Sequence, residues 1–494
     1  MKTLKSAVLW GYLGTVVKIV SQFLTQILLL RVVGPHAYGT YAAAFFILTL
    51  AMIAAEMGLT AAVIHEKEMN DEEKARILTL SMVAAVIAGL LMTAISPVVA
   101  TFFHDNGVGA VIIVLAIVPF FQAPGNIAIG LLRKNLDIKS VQISQLIGYL
   151  FGFSFVGVLF AVADFGAYSL AFAWIAQSIV TSFIAMRKSG LKLKLSLQLK
   201  SCKEQMNYGI KVFATNISNW VVENLGAFVI GRIFGAYSLG LYSATYQFVK
   251  NPTNHLINTV QTIALPIARN KVDDVEWTKR FVLILIMFIS LIATLVFASL
   301  SALSDYAVPV IFGSKWSGAT DVLAPLSIAM IFHSIMAAVG PVLWGRNRVG
   351  AELRVQVIIA ILMAVTLLCL AKTSIVYAAW AITIVLALRC VGILMALRKE
   401  MNISFIEFLG AIRGSLIMGG VIYVLTPHLA ALCPDNITKV VIVPIALLCI
   451  NLLIWLVKPS IYIEKRILPS KINIPKWIPV FVAQRIRLLA AEDK

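Results

Sequence analysis

One short stretch of this chain occurs twice. Residues 31–43 read RVVGPHAYGTYAA, and residues 232–244 read RIFGAYSLGLYSA. The identities all fall at one offset of 201 residues, and they pair Arg31 with Arg232, Gly34 with Gly235, Gly39 with Gly240, Tyr41 with Tyr242 and Ala43 with Ala244. Each copy joins two long apolar segments, so the match predicts two halves with one architecture. The alternative is a chance agreement between two glycine-rich turns.

The composition around these two copies is that of a membrane protein. Of 494 residues, 60% are hydrophobic and 13% are charged, and the mean hydropathy is +0.92. Soluble domains are about 45–50% apolar and about 25% charged, so a soluble enzyme could not hide this much apolar surface. A disordered chain would be more polar. The remaining class is a polytopic membrane protein, and the length allows roughly 12–15 transmembrane helices.

Apolar runs between charged, proline and glycine breaks predict an all-α protein with about fourteen transmembrane helices. The predicted segments are 7–30, 39–64, 75–99, 108–131, 140–163, 166–186, 209–231, 238–264, 279–302, 322–344, 354–371, 375–397, 408–427 and 440–457. The first segment is too long for a signal peptide and lacks a small-residue cleavage site, so we expect it to remain in the mature protein.

The basic residues predict the orientation. The chain has 41 Lys and Arg against 23 Asp and Glu, a formal net charge of +18. With the N-terminus inside, 31 of the basic residues fall on the inner side and five on the outer side. The positive-inside rule therefore places both termini in the cytoplasm. This explains the basic excess without a nucleic-acid partner, and none is expected.

The repeat and the charge pattern together predict the domain organisation. Six helices separate the two copies, so the halves keep the same sense across the membrane and form parallel repeats. We expect an N-terminal lobe at 1–200 (helices 1–6) and a C-terminal lobe at 201–400 (helices 7–12), around a central cavity. Two extra helices would follow at 401–457, and a basic cytoplasmic tail at 458–494.

Polar residues in the middle of apolar helices are the candidate site residues, because charge costs several kcal/mol at that depth unless it faces water or a partner. Spacings of three or four place several of them on common helix faces. The candidates are Lys18 and Gln22 on helix 1, Glu56 on helix 2, Asn216, Asn219 and Glu223 on helix 7, and Gln247, Lys250 and Asn254 on helix 8. Two structural alternatives remain open: side chains that only bridge packed helices, and a buried ion pair of Lys18 with Glu56 or Glu223.

Signatures of catalysis and of tightly bound groups are missing from the sequence. It has no GxxxxGK[ST], no GxSxG and no aspartate-rich motif, and its five cysteines and six histidines show no metal-ligand spacing. We expect no enzyme activity, no cofactor, no metal and no ATP hydrolysis within this chain.

Several short motifs follow the repeat along the chain. They are Arg31, Gly34, Gly39 and Tyr41, their counterparts Arg232, Gly235, Gly240 and Tyr242, Leu131-Leu132-Arg133-Lys134, Leu265-Pro266 and Phe312-Gly313-Ser-Lys315-Trp316. Together they resemble the polysaccharide-export branch of the multidrug/oligosaccharidyl-lipid/polysaccharide (MOP) superfamily, especially Wzx-type flippases of the colanic acid exporter branch. The arginine-rich first helix of lipid II flippases is absent, and Lys18 lies in the helix where drug extruders carry an acidic residue.

The resemblance implies a MATE-like fold and an undecaprenyl-pyrophosphate-linked oligosaccharide as cargo, moved by alternating access to the periplasmic leaflet for exopolysaccharide, O-antigen or capsule synthesis. It implies that the protein lies in the bacterial inner membrane and that cations such as Lys18 and Lys250 hold the diphosphate or acidic sugars. We further expect Glu56 and Glu223 to couple ions. The amides expected to hydrogen-bond sugar hydroxyls are Asn216, Asn219, Gln247 and Asn254, and Gln22 is expected to contact the substrate. Expected partners are membrane lipid, a polysaccharide polymerase and a chain-length regulator. The rival functions are a cation-coupled multidrug extruder and a membrane glycan ligase or polymerase.

Overall fold

The computed structural model describes residues 2–56, 58–65, 69–194, 196, 203–270, 274–345, 349–370 and 373–462. Every regular element in these ranges is a helix. The helices are α1 (Lys2–Val32), α2 (Pro35–Glu56), α3 (Leu59–His65), α4 (Asp71–Phe103), α5 (Asn106–Leu115), α6 (Val118–Lys134), α7 (Ile138–Val162, π-helical at Leu150–Gly157), α8 (Ala167–Ser189), α9 (Lys203–Asn270), α10 (Val275–Ala302), α11 (Ser304–Ile311), α12 (Thr320–Gly345), α13 (Val349–Cys369), α14 (Ile375–Met401), α15 (Phe405–Ala431) and α16 (Asn436–Val457).

The prediction of an all-α membrane protein is confirmed. The described residues of the predicted segments are helical apart from short breaks, as between Leu115 and Val118 within the segment 108–131. In the described ranges, ten helices are long and apolar enough to cross a membrane, or eleven if α5 and α6, bent by 42°, form one span. The exact number of fourteen spans therefore stays a prediction. Many large apolar side chains point outward, such as Leu90 at 67% exposed and Val98 at 70%. Such a surface suits lipid rather than water.

Polar side chains define where several helices begin. Asn70 accepts a hydrogen bond from the Glu73 amide, and the Glu73 carboxylate accepts one from the Asn70 amide, which closes a capping box at the start of α4. Ser404 and Glu407 repeat this arrangement at α15. At α16 the Asp435 carboxylate caps the helix, and its hydrogen bond with the Thr438 side chain holds the pKa of Asp435 below its ordinary value.

The chain divides into two compact units, an N-terminal unit (Met1–Ala244) and a C-terminal unit (Thr245–Lys494). The predicted lobe boundary at 200/201 stays a prediction. The N-terminal unit includes both copies of the repeated stretch, so the contacts of the two copies lie within one unit.

The two copies pack against each other through their glycines. A Cβ atom added to Gly39 would overlap the carbonyl oxygen of Ala236, and one added to Gly240 would overlap the carbonyl oxygen of Pro35. Pro35 and Ala236 occupy equivalent positions of the two copies, so the contact is reciprocal. Backbone can approach backbone this closely only where no side chain intervenes. The repeat read from the sequence thus forms a local two-fold contact.

Candidate functional site

A polar cavity of about 320 Å³ lies inside the N-terminal unit. Four helices contribute to it: α1, α6, α7 and α8. Its lining consists of Lys18, Gln22, Gln122, Gly125, Asn126, Ile129, Gln145, Tyr149, Trp174, Gln177, Ser178, Thr181 and Ser182. Amides and hydroxyls dominate this lining, although the contributing helices are mostly apolar. An ionisable residue among such groups inside a membrane protein is a candidate functional site by default.

Lys18 is the one lining residue among these with a charged side chain at neutral pH. It is half-buried near the midpoint of α1, and its Nζ donates a hydrogen bond to Oε1 of Gln145 at 2.9 Å. Gln22 lines the same cavity one turn further along α1. Thr25, on the same face, is buried and lies 2.6 Å from the Ser154 hydroxyl, Oγ to Oγ. The predicted polar face of helix 1 therefore packs on α7 inside the N-terminal unit.

Four lining side chains carry buried oxygens with no hydrogen-bond partner in the protein. They are Oε1 of Gln122 and of Gln177, Oγ of Ser178 and Oγ1 of Thr181. A buried polar atom without a partner costs about 1–3 kcal/mol, so folded proteins retain few of them. Four in one cavity indicate that the site is built to hydrogen-bond a ligand or water.

The motif residue Tyr41 positions an aromatic wall of this cavity. Tyr41 is buried, and its hydroxyl accepts a hydrogen bond from Nε1 of Trp174. Phe45 and Phe153 pack on the Trp174 ring, with centroid distances of 5.2 and 5.7 Å. The indole is thereby held in one orientation beside the polar groups.

Close helix packing brings the polar groups together. A Cβ atom added to Gly125 on α6 would overlap the Ser182 hydroxyl on α8, so glycine is needed for this approach. Pro124 beside it lacks an amide hydrogen and leaves the Phe120 carbonyl without its usual helical donor. On α7, eight π-helical residues begin directly after Tyr149. π-Helical segments are frequent at functional sites, because they realign the helix faces on either side.

A second polar group lies in the C-terminal unit around Lys250. The Lys250 ammonium lies 5.3 Å from the centroid of the Tyr246 ring, a cation–π distance. Lys250 and Arg389 both lie close enough to His333 to act on it electrostatically. Nδ1 of His333 is buried without a hydrogen-bond partner, and Nε of Arg389 is buried too. Two cations and an imidazole are thus grouped among apolar helices.

The other predicted site residues are placed individually. Gln247 and Asn254 are half-buried on α9, Glu56 is half-buried at the end of α2, and Glu223 is exposed. The side chains of Asn216 and Asn219 lie outside the described residues. Of the motif residues, Gly39, Tyr41, Gly240 and Tyr242 are buried, Gly34 and Gly235 are half-buried, and Arg31 and Arg232 are exposed. Arg232 donates a hydrogen bond to the Phe102 carbonyl at 3.0 Å.

The predicted site residues include only Lys18 and Gln22 from the cavity lining. They do not include Gln122, Asn126, Gln145, Gln177, Ser178 and Thr181 in the N-terminal unit, or His333 and Arg389 in the C-terminal unit. A signal was present, because Gln122 and Asn126, and likewise Gln177 and Thr181, are four residues apart and share a helix face. Amides inside apolar helices are therefore as informative as charges.

Comparisons with known proteins agree with this architecture and with the predicted resemblance. Residues 28–321 match the family described as "Polysaccharide biosynthesis protein". The teichuronic acid biosynthesis protein TuaB of Bacillus subtilis (strain 168) is 23% identical over 68% of this chain and 70% of its own length. The lipopolysaccharide biosynthesis protein WzxC of Escherichia coli (strain K12) is 22% identical over 70% of this chain and 71% of its own length.

Solved structures share the fold. The lipid II flippase MurJ in an inward closed conformation superposes with a TM-score of 0.74 and 14% identity, over 91% of this chain and 99% of its own. An inward-facing MATE-family multidrug resistance transporter of the MOP superfamily gives a TM-score of 0.60 and 14% identity, over 77% of this chain and 95% of its own. These structures confirm the MATE-like fold, and the curated relatives confirm the resemblance to Wzx-type polysaccharide biosynthesis proteins. The family match covers more than half of the chain, and the chain therefore belongs to the polysaccharide biosynthesis protein family.

Proposed function

We propose that this chain is a flippase that moves an undecaprenyl-pyrophosphate-linked oligosaccharide from the cytoplasmic to the periplasmic leaflet by alternating access. Its biological role would be the synthesis of an exopolysaccharide, O-antigen or capsule. Family membership supports the glycan cargo, and the polar cavity among membrane-spanning helices is the observation that carries the transport role. A purely structural membrane protein gains nothing from buried oxygens that lack partners.

The group around Lys250 supports binding of a phosphate-bearing lipid. A diphosphate cannot enter a less polar medium unpaired, because isolated buried charge costs many kcal/mol. Lys250 and Arg389 supply two cations, and His333 supplies a third nitrogen group. We assign the diphosphate to this group, with Gln247 and Asn254 on the same helix as hydrogen-bond donors to the cargo.

The remaining roles follow the same proposal. Glu56 and Glu223 would couple transport to protons or another cation, and Asn216 and Asn219 would contact sugars. The chain would lie in the bacterial inner membrane with both termini in the cytoplasm, beside a polysaccharide polymerase and a chain-length regulator. It would transport its cargo and catalyse no reaction.

A reconstitution experiment tests the proposal. Vesicles with the full-length chain would carry the lipid-linked oligosaccharide extracted from a strain that lacks this gene, and an external lectin would measure how much glycan changes leaflet. We expect Lys250→Gln to slow translocation at least tenfold. The exposed Lys399, at the end of α14, supplies the matched control, and Lys399→Gln should change the rate less than twofold.

Two results would contradict the proposal. One is a folded wild-type chain that leaves the glycan in its original leaflet. The other is efflux of cationic dyes with no glycan movement, which would indicate the multidrug extruder instead. The described cavity lining contains no carboxylate to balance a cationic drug, which favours the glycan carrier.

A further inference from the structure

We propose that the cavity of the N-terminal unit is a binding site for one neutral sugar residue of the cargo, separate from the group that holds the diphosphate. This inference rests on the proposed function and deepens it. It also changes the role predicted for Lys18, which the resemblance had assigned to the diphosphate.

The charge of the cavity lining does not match a diphosphate. A diphosphate needs more than one cation when it leaves water, and Lys18 is the single cation among the described lining residues. Arg133 lies close enough to act on Lys18 electrostatically, but it is not part of the lining. The Lys18 ammonium is already engaged by Gln145 at 2.9 Å. A sugar hydroxyl carries no net charge, so it can bind here without an unpaired ionic group.

The hydrogen-bonding groups of the cavity lining match sugar hydroxyls better than phosphate oxygens. Phosphate oxygens only accept hydrogen bonds, and the cavity presents four partnerless oxygens, two of them amide carbonyls that cannot donate. Sugar hydroxyls donate and accept at once. An amide side chain offers an acceptor and a donor side by side, which matches neighbouring hydroxyls on a sugar ring.

The volume and the aromatic lining of the cavity also suit a sugar ring. A volume of about 320 Å³ is near the lower end of ligand pockets, which run from roughly 300 to 1,000 Å³, and it suits a single sugar ring rather than a whole oligosaccharide. Trp174 and Tyr149 also line the cavity. Aromatic rings pack well on the apolar C–H faces of sugars, and Tyr41 holds the Trp174 ring in place.

The test uses Gln122→Leu/Gln177→Leu in the full-length chain in nanodiscs. Leucine removes two oxygens that have no partner in the protein, so folding should be unaffected. Gln142→Leu is the matched control, since Gln142 lies on α7, has an equally buried and partnerless Oε1, and is not part of the cavity lining. Native mass spectrometry would measure binding of the extracted lipid-linked oligosaccharide and of bare undecaprenyl diphosphate.

We expect the wild-type chain to prefer the glycosylated lipid, and the double variant to lose at least tenfold of that preference while it binds bare undecaprenyl diphosphate unchanged. Gln142→Leu should retain the preference.

An unchanged preference in the double variant would show that the cavity holds only water and would overturn the inference. Equal loss for both lipids would place the diphosphate in this cavity and would overturn it as well. A wild-type chain that binds neither lipid would contradict the proposed function itself. If the double variant fails to fold, Ser178→Ala removes one hydroxyl and is read in the same way.

Discussion

The two copies of the repeated stretch share one contact and differ in their surroundings. Gly39 and Gly240 pack reciprocally on the backbone of the other copy. In contrast, Gly235 has a φ of 80° and breaks α9, whereas no positive φ occurs at Gly34. At the repeat offset of 201 residues, the position equivalent to Lys250 is Thr49, which accepts a hydrogen bond from Nε1 of Trp220. The two copies therefore keep the backbone contact, where no side chain fits, whereas the polar side chains at equivalent positions differ.

The largest expected effect comes from the shared contact. Gly39→Ala and Gly240→Ala each force a methyl group into a backbone carbonyl, which cannot move aside as a side chain could. We expect each to destabilise the chain by about 3 kcal/mol or more, and by similar amounts because the contact is reciprocal. Thermal unfolding in nanodiscs measures this. Gly350→Ala is the control, since that helical position has open space around it. A clear difference in destabilisation between the two variants would show that the contact is not equivalent on its two sides.

The next effect concerns the copy that supports the cavity. Tyr41→Phe removes the acceptor of the Trp174 Nε1–H and leaves that donor without its partner. We expect a loss of about 1–3 kcal/mol in the free energy of unfolding. Trp174→Phe removes the donor of the same hydrogen bond. The double variant Tyr41→Phe/Trp174→Phe should therefore lose less stability than the two single variants lose together. Additive losses would show that the hydrogen bond contributes nothing.

The two copies differ in backbone conformation at Gly34 and Gly235. Gly235→Ala places a side chain at φ 80° and ψ 179°, a backbone conformation that is essentially restricted to glycine and costs about 1–3 kcal/mol for other residues. Gly34→Ala, at the equivalent position with open space and no positive φ, should change stability by less than about 0.5 kcal/mol. The same unfolding measurement applies. Equal effects at both positions would mean that the two turns have the same conformation in the membrane.

The smallest expected effect is at the second-copy arginine. Arg232 donates to the Phe102 carbonyl and lies over the Phe102 ring, 5.2 Å from its centroid, but its side chain is exposed. Arg232→Gln should therefore cost no more than about 1 kcal/mol. Exposed Arg280, paired with Glu276 one helical turn away, gives the comparison, and Arg280→Gln should cost about 0.3–0.5 kcal/mol. A loss of several kcal/mol at Arg232 would instead indicate that this contact is essential to the fold.

The sequence predicted the class and the candidate cations, but only part of the site. Lys18 and Gln22 were found because charge and amides stand out in an apolar helix, and both line the cavity. Helical periodicity also placed them correctly on one face. It could not say which helix that face would meet. Gln145 is 127 residues away from Lys18, and their contact depends on how α1 packs on α7.

By itself, the sequence determined that the chain is helical, that it lies in a membrane and that it contains a repeat with an offset of 201 residues. These properties follow from hydropathy and local spacing, which each segment carries independently of the others. Tertiary structure alone decided that Gly39 meets Gly240, and that amides from four helices surround one lysine. The physical reason is that such contacts join residues far apart in the chain. They form only when close helix packing excludes side chains at some positions and gathers polar groups at others.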